Sequence, residues 1–290
     1  MGAITRQITR SYLRKHNQKH LKRYPQLASF SFDLITEYIH LDGRYEYEEL
    51  DFLAKSIFPQ LKGHRTCLDI GANIGNHSVF FAEHFDNVVS FEPHPRTFKL
   101  LDCNADLVDN ITPVNVGASD KKTTQTAYFD VMNVAFTSLD RDLPERTGPP
   151  LKEVQFKLDR LDDMPEVKDL EHIDFIKIDV EGHEEACFEG ALKTFEKHKP
   201  LIGIEILGKR VKNGETASLE MLKPLGYKHF YNLRTNRPMA WAPKPIAKLT
   251  TVLLGLFLNY RPPKSFTLEP LVLRDDRNFS MVLCSTTELV

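Results

Sequence analysis

From Gly63 onward the chain alternates short, almost wholly apolar runs with segments of helical spacing, and few folds accommodate that pattern. The runs are TCLDI (66–70), NVVSFE (87–92), ITPVNVGA (111–118), IDFIKID (173–179), LIGIEIL (201–207) and YKHFYNL (227–233). Helix-like segments lie between most of them, over 75–85, 95–107, 182–197 and 216–224. A strand that is apolar throughout must be covered on both faces, and helical crossovers join parallel strands. The pattern therefore predicts an α/β fold with a mostly parallel sheet and helices on both sides. A last run, FSMVLCS (279–285), has no crossover helix before it and is expected to pair antiparallel with the sixth strand.

Two connections exceed the short loops usual in such folds. Residues 119–172 contain TQTAYFDV and VQFKLDRL, which read as a β-excursion in place of a helix. Residues 234–277 hold six prolines and an apolar run, and are read as an insertion in a unit spanning 63–290. Residues 1–62 are read as an N-terminal extension. In it, residues 4–24 suggest a basic helix ended by Pro25, and FSFDLITEYIHLDGRY is expected to be extended, turning at Asp42-Gly43. YEELDFLAKSIFPQL then shows helical spacing at Leu50, Leu53, Ile57 and Leu61.

Charge is distributed unevenly behind a net value of -2: Arg6, Arg10, Arg14, Lys15, Lys19, Lys22 and Arg23 all precede the first acidic residue, Asp33. Cys67, Cys103, Cys187 and Cys284 lie far apart without a CxxC, which predicts reduced core thiols and a reducing compartment. The N-terminus lacks the apolar run and cleavage site of a signal peptide. Leu249–Leu258 is far shorter than the ~20 residues that span a bilayer. A soluble cytoplasmic protein is expected, or one peripheral at the inner face of the membrane.

The stretch CLDIGANIG (67–75) is the first chemical signal. In open parallel sheets ligands bind at the carboxyl ends of the strands. A helix beginning near Gly75 would offer N–H groups to an anionic ligand group. Glu92 ends the second strand, 23 residues after Asp69, an offset at which an acid typically binds two ribose hydroxyls. A dinucleotide site requires G-x-G-x-x-G, whereas here residue 73 is Asn and no third glycine follows in register. A carboxylate at 69 would repel a pyrophosphate but could accept a hydrogen bond from an ammonium. S-adenosylmethionine, with an ammonium, a carboxylate and a ribose but no phosphate, suits this better than a nicotinamide dinucleotide. A glycine-rich turn with no ligand is the plain alternative, and Asp69 with Glu92 weighs against it.

DIGANIGNHS, FEPHPRTFKLL, VNVGASD, KLDRLDD and IDFIKIDVEGHEE, in that order, together resemble the FkbM-type methyltransferases. The resemblance covers about residues 43–233 and 279–285. It implies a Rossmann-like class I methyltransferase with a seven-stranded, mostly parallel sheet and helices on both faces, dependent on S-adenosylmethionine. It places Asp69, Gly71, Asn73 and Gly75 along the methionine end, with Ala72 and Asn76 in the same cofactor-binding set. Glu92 holds the ribose, and Gly117, Ala118 and Ser119 lie along the adenine. GRYE (43–46) resembles the family's approach segment, which helps close the site. His77, His94 and His183 stand at positions that vary in the family.

IDFIKIDVEGHEE is the most polar strand end in the chain. A methyl on a sulfonium is already activated, so the protein must mainly place a nucleophile in line with it. An alkyl hydroxyl gains from a carboxylate or His base, or from a metal. Asp179 is the first choice for that carboxylate, supported by Lys177, Glu181 and Glu184, with Glu205 completing a carboxylate pair. His183 ranks below it. Lys177 is equally readable as a buried structural partner of Asp179 or Glu181. Glu181-Gly182 can simply set a turn, and Glu184 can favour a helix start. A divalent metal at Asp179 and Glu205 stays open, since two acids do not specify a site.

The expected function is methyl transfer from S-adenosylmethionine to a hydroxyl of a glycan or glycolipid. The oxygen and the glycan follow from the resemblance and from the lack of motifs for other acceptors. The alternatives are methylation of a small secondary metabolite, or a catalytically silent membrane-associated adaptor. Nucleic acid is not expected, for want of a recognised motif. In 234–277, Trp241 and LTTVLLGLFLNY are flanked by Lys244, Lys248, Arg261 and Lys264. That segment is either a buried capping helix or an interfacial segment on anionic lipid, a view that the basic N-terminus favours.

Overall fold

The computed structural model describes residues 2–130, 133–139, 151–236 and 264–290. The chain opens with helices α1 (Ala3–His20), α2 (Leu34–Asp42) and α3 (Tyr47–Phe52), the last continuing as a π-turn and a 3-10 turn to Gln60. Then come β1 (Thr66–Ile70), α4 (Asn76–Phe81), β2 (Asn87–Phe91), α5 (Pro95–Ala105) and β3 (Ile111–Val114). The β-excursion comprises β4 (Gly117–Ala118), β5 (Thr123–Asp130), β6 (Asn133–Ser138) and β7 (Lys152–Asp159). After α6 (Pro165–Lys168), the alternation resumes with β8 (Phe175–Ile178), α7 (Glu184–Glu189), α8 (Leu192–His198), β9 (Leu201–Ile206) and α9 (Ala217–Leu222). The last strands are β10 (His229–Asn236), β11 (Ser265–Pro270) and β12 (Phe279–Ser285).

The main sheet has the order β11-β10-β12-β9-β8-β1-β2-β3. Strands β3, β2, β1, β8 and β9 run parallel, and β12 lies antiparallel between β9 and β10. Seven of these strands are the expected ones. The sheet has eight, because β11, from within the presumed insertion 234–277, pairs antiparallel with the outer edge of β10. Its Phe266 and Leu268, two residues apart, turn inward onto the core while Ser265 and Thr267 face out. The apolar run at 249–258 and Trp241 lie outside the described residues.

Within β1 and β8, neighbouring residues serve opposite cores. Leu68, Ile70, Ile176 and Ile178 join one. Cys67 and Phe175 join the other, together with Leu50, Leu53, Ile57 and Phe58 from α3 and the turns after it. Residues of 47–60 thus pack into one of the sheet's own cores. Phe58, 1% exposed, sets its ring edge-on to Phe85 and Phe175 at 5.1 and 5.3 Å.

Three further expectations are corrected. Residues 34–42 are helical, not extended: the Asp33 carboxylate accepts the Leu34 N–H at 2.8 Å at one end. Gly43, at φ +87°, returns its N–H to Ile39 at the other. ITPVNVGA is broken after Val114, and Gly117–Ala118 pairs with β7 in a separate four-stranded sheet of order β4-β7-β5-β6. Cys103 is exposed, whereas the other three cysteines are buried; none is bonded to another. No helix among the described residues is long and apolar enough to cross a membrane.

Candidate functional site

Beyond the carboxyl ends of β1, β2, β8 and β9 lies a cavity of about 390 Å³. Its floor is the turn at 71–75. Gly71 and Ala72 both donate their N–H to the Phe91 carbonyl, at 3.0 and 2.9 Å, which pins the turn to the end of β2. Gly71 sits at φ +81°, and a Cβ there would overlap the Asp179 carbonyl oxygen. Gly75 sits at φ +85° with its open side against Leu101 of α5. One glycine thus admits the neighbouring strand and the other admits a helix. Asn73, Glu46 and Glu181 also line the cavity at positive φ, a clustering typical of functional sites.

Glu92 stands in the wall, 8% exposed. Its two carboxylate oxygens accept the Asn73 and His94 N–H groups at 3.0 and 2.8 Å, and burial pushes its carboxyl up to about 7. Gly117, Ala118, Phe156 and Leu158 form an apolar wall beside it. Of the sequence-assigned cofactor residues, Gly71, Ala72, Asn73, Asn76, Glu92, Gly117 and Ala118 line the cavity, but Asp69, Gly75 and Ser119 do not. Asp69 is wholly buried behind the wall, where Ser78 Oγ donates to it at 2.6 Å and the Lys177 ammonium lies 3.5 Å away. Ser119 donates to Asp120 Oδ1 at 3.0 Å and meets His183 Nε2 at 2.9 Å, so it positions a cavity residue without facing the cavity itself.

The β8–β9 side is charged. Lys177, buried in β8, lies 3.2 Å from Asp179 and donates to the Gly71 carbonyl at 3.3 Å. Burial works against its charge, but the carboxylates of Asp179 and Asp69 outweigh it and raise its pKa. Burial likewise opposes the Asp179 charge, yet Lys177 and a hydrogen bond from Glu205 hold that carboxyl below its ordinary range. Glu205 is pushed up to about 9 by burial and then by the charge of Asp179, and Glu181 to about 7 for the same two reasons. Near neutral pH, therefore, Glu205 carries the proton it shares with ionised Asp179. Among the described residues, Asp179, Glu181 and Glu205 are the set whose oxygens converge, within 4.8 Å of one another, closely enough to hold a metal ion. Glu184 instead accepts the Gly182 N–H at 2.8 Å and sets the turn.

These shifts have a consequence for stability. A carboxyl whose folded pKa is raised favours folding fully below its unfolded value near 4.5, and loses that contribution as pH rises through the folded value. For Glu205 the window is pH 4.5 to about 9. Glu205→Gln keeps a donor to Asp179 but removes the titration. Thermal melts of this variant between pH 5 and 9 should fall less steeply than those of the parent. Parallel curves would remove Glu205 from the account.

Several lining residues carry no signal in the sequence. Ser280 and Met281 come from the antiparallel β12, and Leu34 and Ile35 from the helix mistaken for an extended segment. Tyr45 and Glu46 belong to GRYE, whose role in closing the site was expected. They are stapled to α4 by Asn76, which exchanges two hydrogen bonds of 3.1 Å with the Tyr45 backbone.

A family model for the methyltransferase FkbM domain matches residues 69–229, more than half of the chain. The chain belongs to the FkbM methyltransferase family. That match spans the 71–75 turn, Glu92, Gly117–Ala118, Asp179 and Glu205, and the sheet order agrees with the class I methyltransferase fold that the sequence implied.

Solved structures similar to it include a methyltransferase FkbM from Methylobacillus flagellatus, with 17% identity and a TM-score of 0.37 over 92% of this chain and 57% of that one. A precorrin-6y C5,15-methyltransferase from Geobacter metallireducens shows 14% identity and a TM-score of 0.39 over 79% and 84%. A SAM-dependent methyltransferase from Archaeoglobus fulgidus shows 11% identity and a TM-score of 0.40 over 87% and 100%. The chain thus spans little more than half the length of the first. No curated protein sequence matches it.

Proposed function

We propose that this FkbM-family chain transfers a methyl group from S-adenosylmethionine to a hydroxyl oxygen of a glycan or glycolipid. The observation that carries the cofactor is Glu92: a buried carboxylate in the cavity wall whose two oxygens each accept one backbone N–H and keep a lone pair for a ribose hydroxyl. The cavity volume falls within the range of small-molecule sites. Gly71 and Gly117 line it, and the apolar wall of Phe156 and Leu158 suits a purine. When bound, the cofactor supplies an electrophilic methyl on its sulfonium. The carboxylates of Asp179 and Glu181 favour positive charge at that end of the cavity.

Asp179, held ionised by Lys177 with its side chain one-third exposed, accepts a hydrogen bond from the acceptor hydroxyl and aims it. Glu181, titrating near neutrality beside it, takes the hydroxyl proton. A divalent metal on Asp179, Glu181 and Glu205 is the rival way to lower the hydroxyl's pKa, and a chelator added to the turnover assay separates the two. Docking at an anionic lipid surface is part of the same proposal. It is supported by α1, where Arg6, Arg10, Arg14, Lys15 and Lys19 are all exposed with no acidic neighbour in the helix.

The test begins with binding. Glu92→Ala should weaken S-adenosylhomocysteine binding by about 1–3 kcal/mol, because ribose hydroxyls are left unpaired in a buried site. NAD should give the parent no thermal stabilisation. Equal affinity in mutant and parent overturns the placement. The acceptor is then sought by incubation with methyl-labelled cofactor and fractionated cell-envelope glycans, followed by mass analysis. A parallel incubation with the small soluble metabolites of the same cells is the comparison, and label confined to that fraction would overturn the glycan assignment.

A further inference from the structure

The cavity is also lined by a carboxylate–imidazole pair that neither the strand motifs nor the carboxylate cluster accounts for. The pair is Glu46 and His77, with Glu46 Oε2 and His77 Nε2 3.2 Å apart. They come from different parts of the chain: Glu46 from the segment before α3, and His77 from the first turn of α4. The double hydrogen bond between Asn76 and Tyr45 fastens the two segments together. The imidazole is stacked on Phe81 at 6.1 Å and is 8% exposed, and its Nε2 is buried without an aligned hydrogen bond. Glu46 holds φ +55°, a backbone state that costs free energy in a non-glycine residue and persists where the surroundings impose it. Burial opposes the Glu46 charge, but His77 outweighs it and keeps the carboxyl ionised.

The position of the pair matters because Asp69 stands behind the cavity wall. The carboxylate that the sequence assigns to the cofactor's ammonium is fully enclosed: its Oδ2 accepts from Ser78, and its Oδ1, without a hydrogen bond, lies 3.5 Å from the Lys177 ammonium. Asp69 is not among the residues that line the cavity, whereas Glu46 and His77 are. We propose that Glu46 and His77 together form the clamp for the α-amino acid end of the cofactor. The Glu46 carboxylate accepts from the ammonium, and His77 Nε2–H donates to the carboxylate. An α-amino acid carries opposite charges on groups attached to one carbon. A carboxylate acceptor and an imidazole N–H donor side by side meet both groups, and each group of the ligand replaces the partner that the pair now gives itself. The inference rests on the S-adenosylmethionine reading and extends it to residues outside the strand ends.

Two ligands separate the clamp from the rest of the site. S-adenosylhomocysteine carries the amino-acid end, whereas 5′-methylthioadenosine keeps the adenosine and thioether without it. Calorimetric titration of the parent, Glu46→Gln and His77→Gln with both ligands decides the matter. The expected result is a loss of at least tenfold in S-adenosylhomocysteine affinity in either variant, with 5′-methylthioadenosine affinity within twofold of the parent. The double variant should lose less than the product of the single losses, since the two side chains also contact each other and either loss disturbs the other. Retained 5′-methylthioadenosine binding shows that the variants are folded. Equal losses for both ligands, or no loss for either, would overturn the clamp. A parent that binds neither ligand would instead overturn the cofactor reading itself.

Discussion

Gly71→Ala should yield a protein that melts about 10 °C below the parent and no longer binds S-adenosylhomocysteine. Two costs add at this position. The backbone sits at φ +81°, where an L-residue loses about 1–2 kcal/mol. The new methyl would also overlap the Asp179 carbonyl oxygen, which is backbone and cannot swing aside. Relief requires the turn to move off the end of β8, breaking the hydrogen bonds from Gly71 and Ala72 to Phe91. A combined loss of about 3–5 kcal/mol is the scale for such a change, and at about 2–4 °C per kcal/mol in a chain of this size it gives the stated drop. Gly226→Ala is the control. Gly226 has a similar φ of +90°, but nothing lies within 4 Å of the added methyl, so only the conformational cost applies. Equal melting temperatures for the two variants would show that the close approach of β1 and β8 is not what Gly71 secures.

That glycine was legible because its cause is local: a strand, a tight turn and a helix follow one another in sequence. The same holds for Glu92 just past β2 and for the seven expected strands, each announced by its own apolar run. The burial of Asp69 was not legible, for the opposite reason. Its residue type and spacing fit an ammonium ligand, but whether a strand-end carboxylate faces the cavity or the interior depends on Ser78 and Lys177, which arrive from a helix and another strand. The helix at 34–42 was missed because its Ile and Thr residues resemble strand composition, while its real signals are a single capping Asp33 and the terminal Gly43. Strand β11 was lost inside a proline-rich segment, although Phe266 and Leu268 alternate as a half-buried strand should. Glu46 and His77 lie 31 positions apart, and the staple between Tyr45 and Asn76 holds their segments together.

Lys177→Met should be the most damaging charge-removing substitution, and the damage should depend on pH. In the parent one ammonium compensates two carboxylates, at 3.5 Å from wholly buried Asp69 and 3.2 Å from Asp179. Removing it strands both, and breaking a buried ion pair from one side typically costs about 3–5 kcal/mol. Methionine fills the stem's volume, so packing contributes little to that loss. The sign of the pH dependence follows from what the stranded carboxylates do. An unpaired buried carboxylate neutralises itself by taking a proton, so the folded variant binds more protons than its unfolded chain. Stability then falls as pH rises, and the variant's deficit should be largest at pH 8 and shrink toward pH 5. Adding Asp69→Asn removes the more deeply buried charge while keeping a partner for Ser78, and should restore part of the stability at pH 8. Denaturant unfolding of the parent, the single and the double variant at the two pH values checks this. A deficit that is constant with pH and untouched by Asp69→Asn would mean that Lys177 serves the fold through its stem alone. The charge arrangement proposed for methyl transfer would then have lost its anchor.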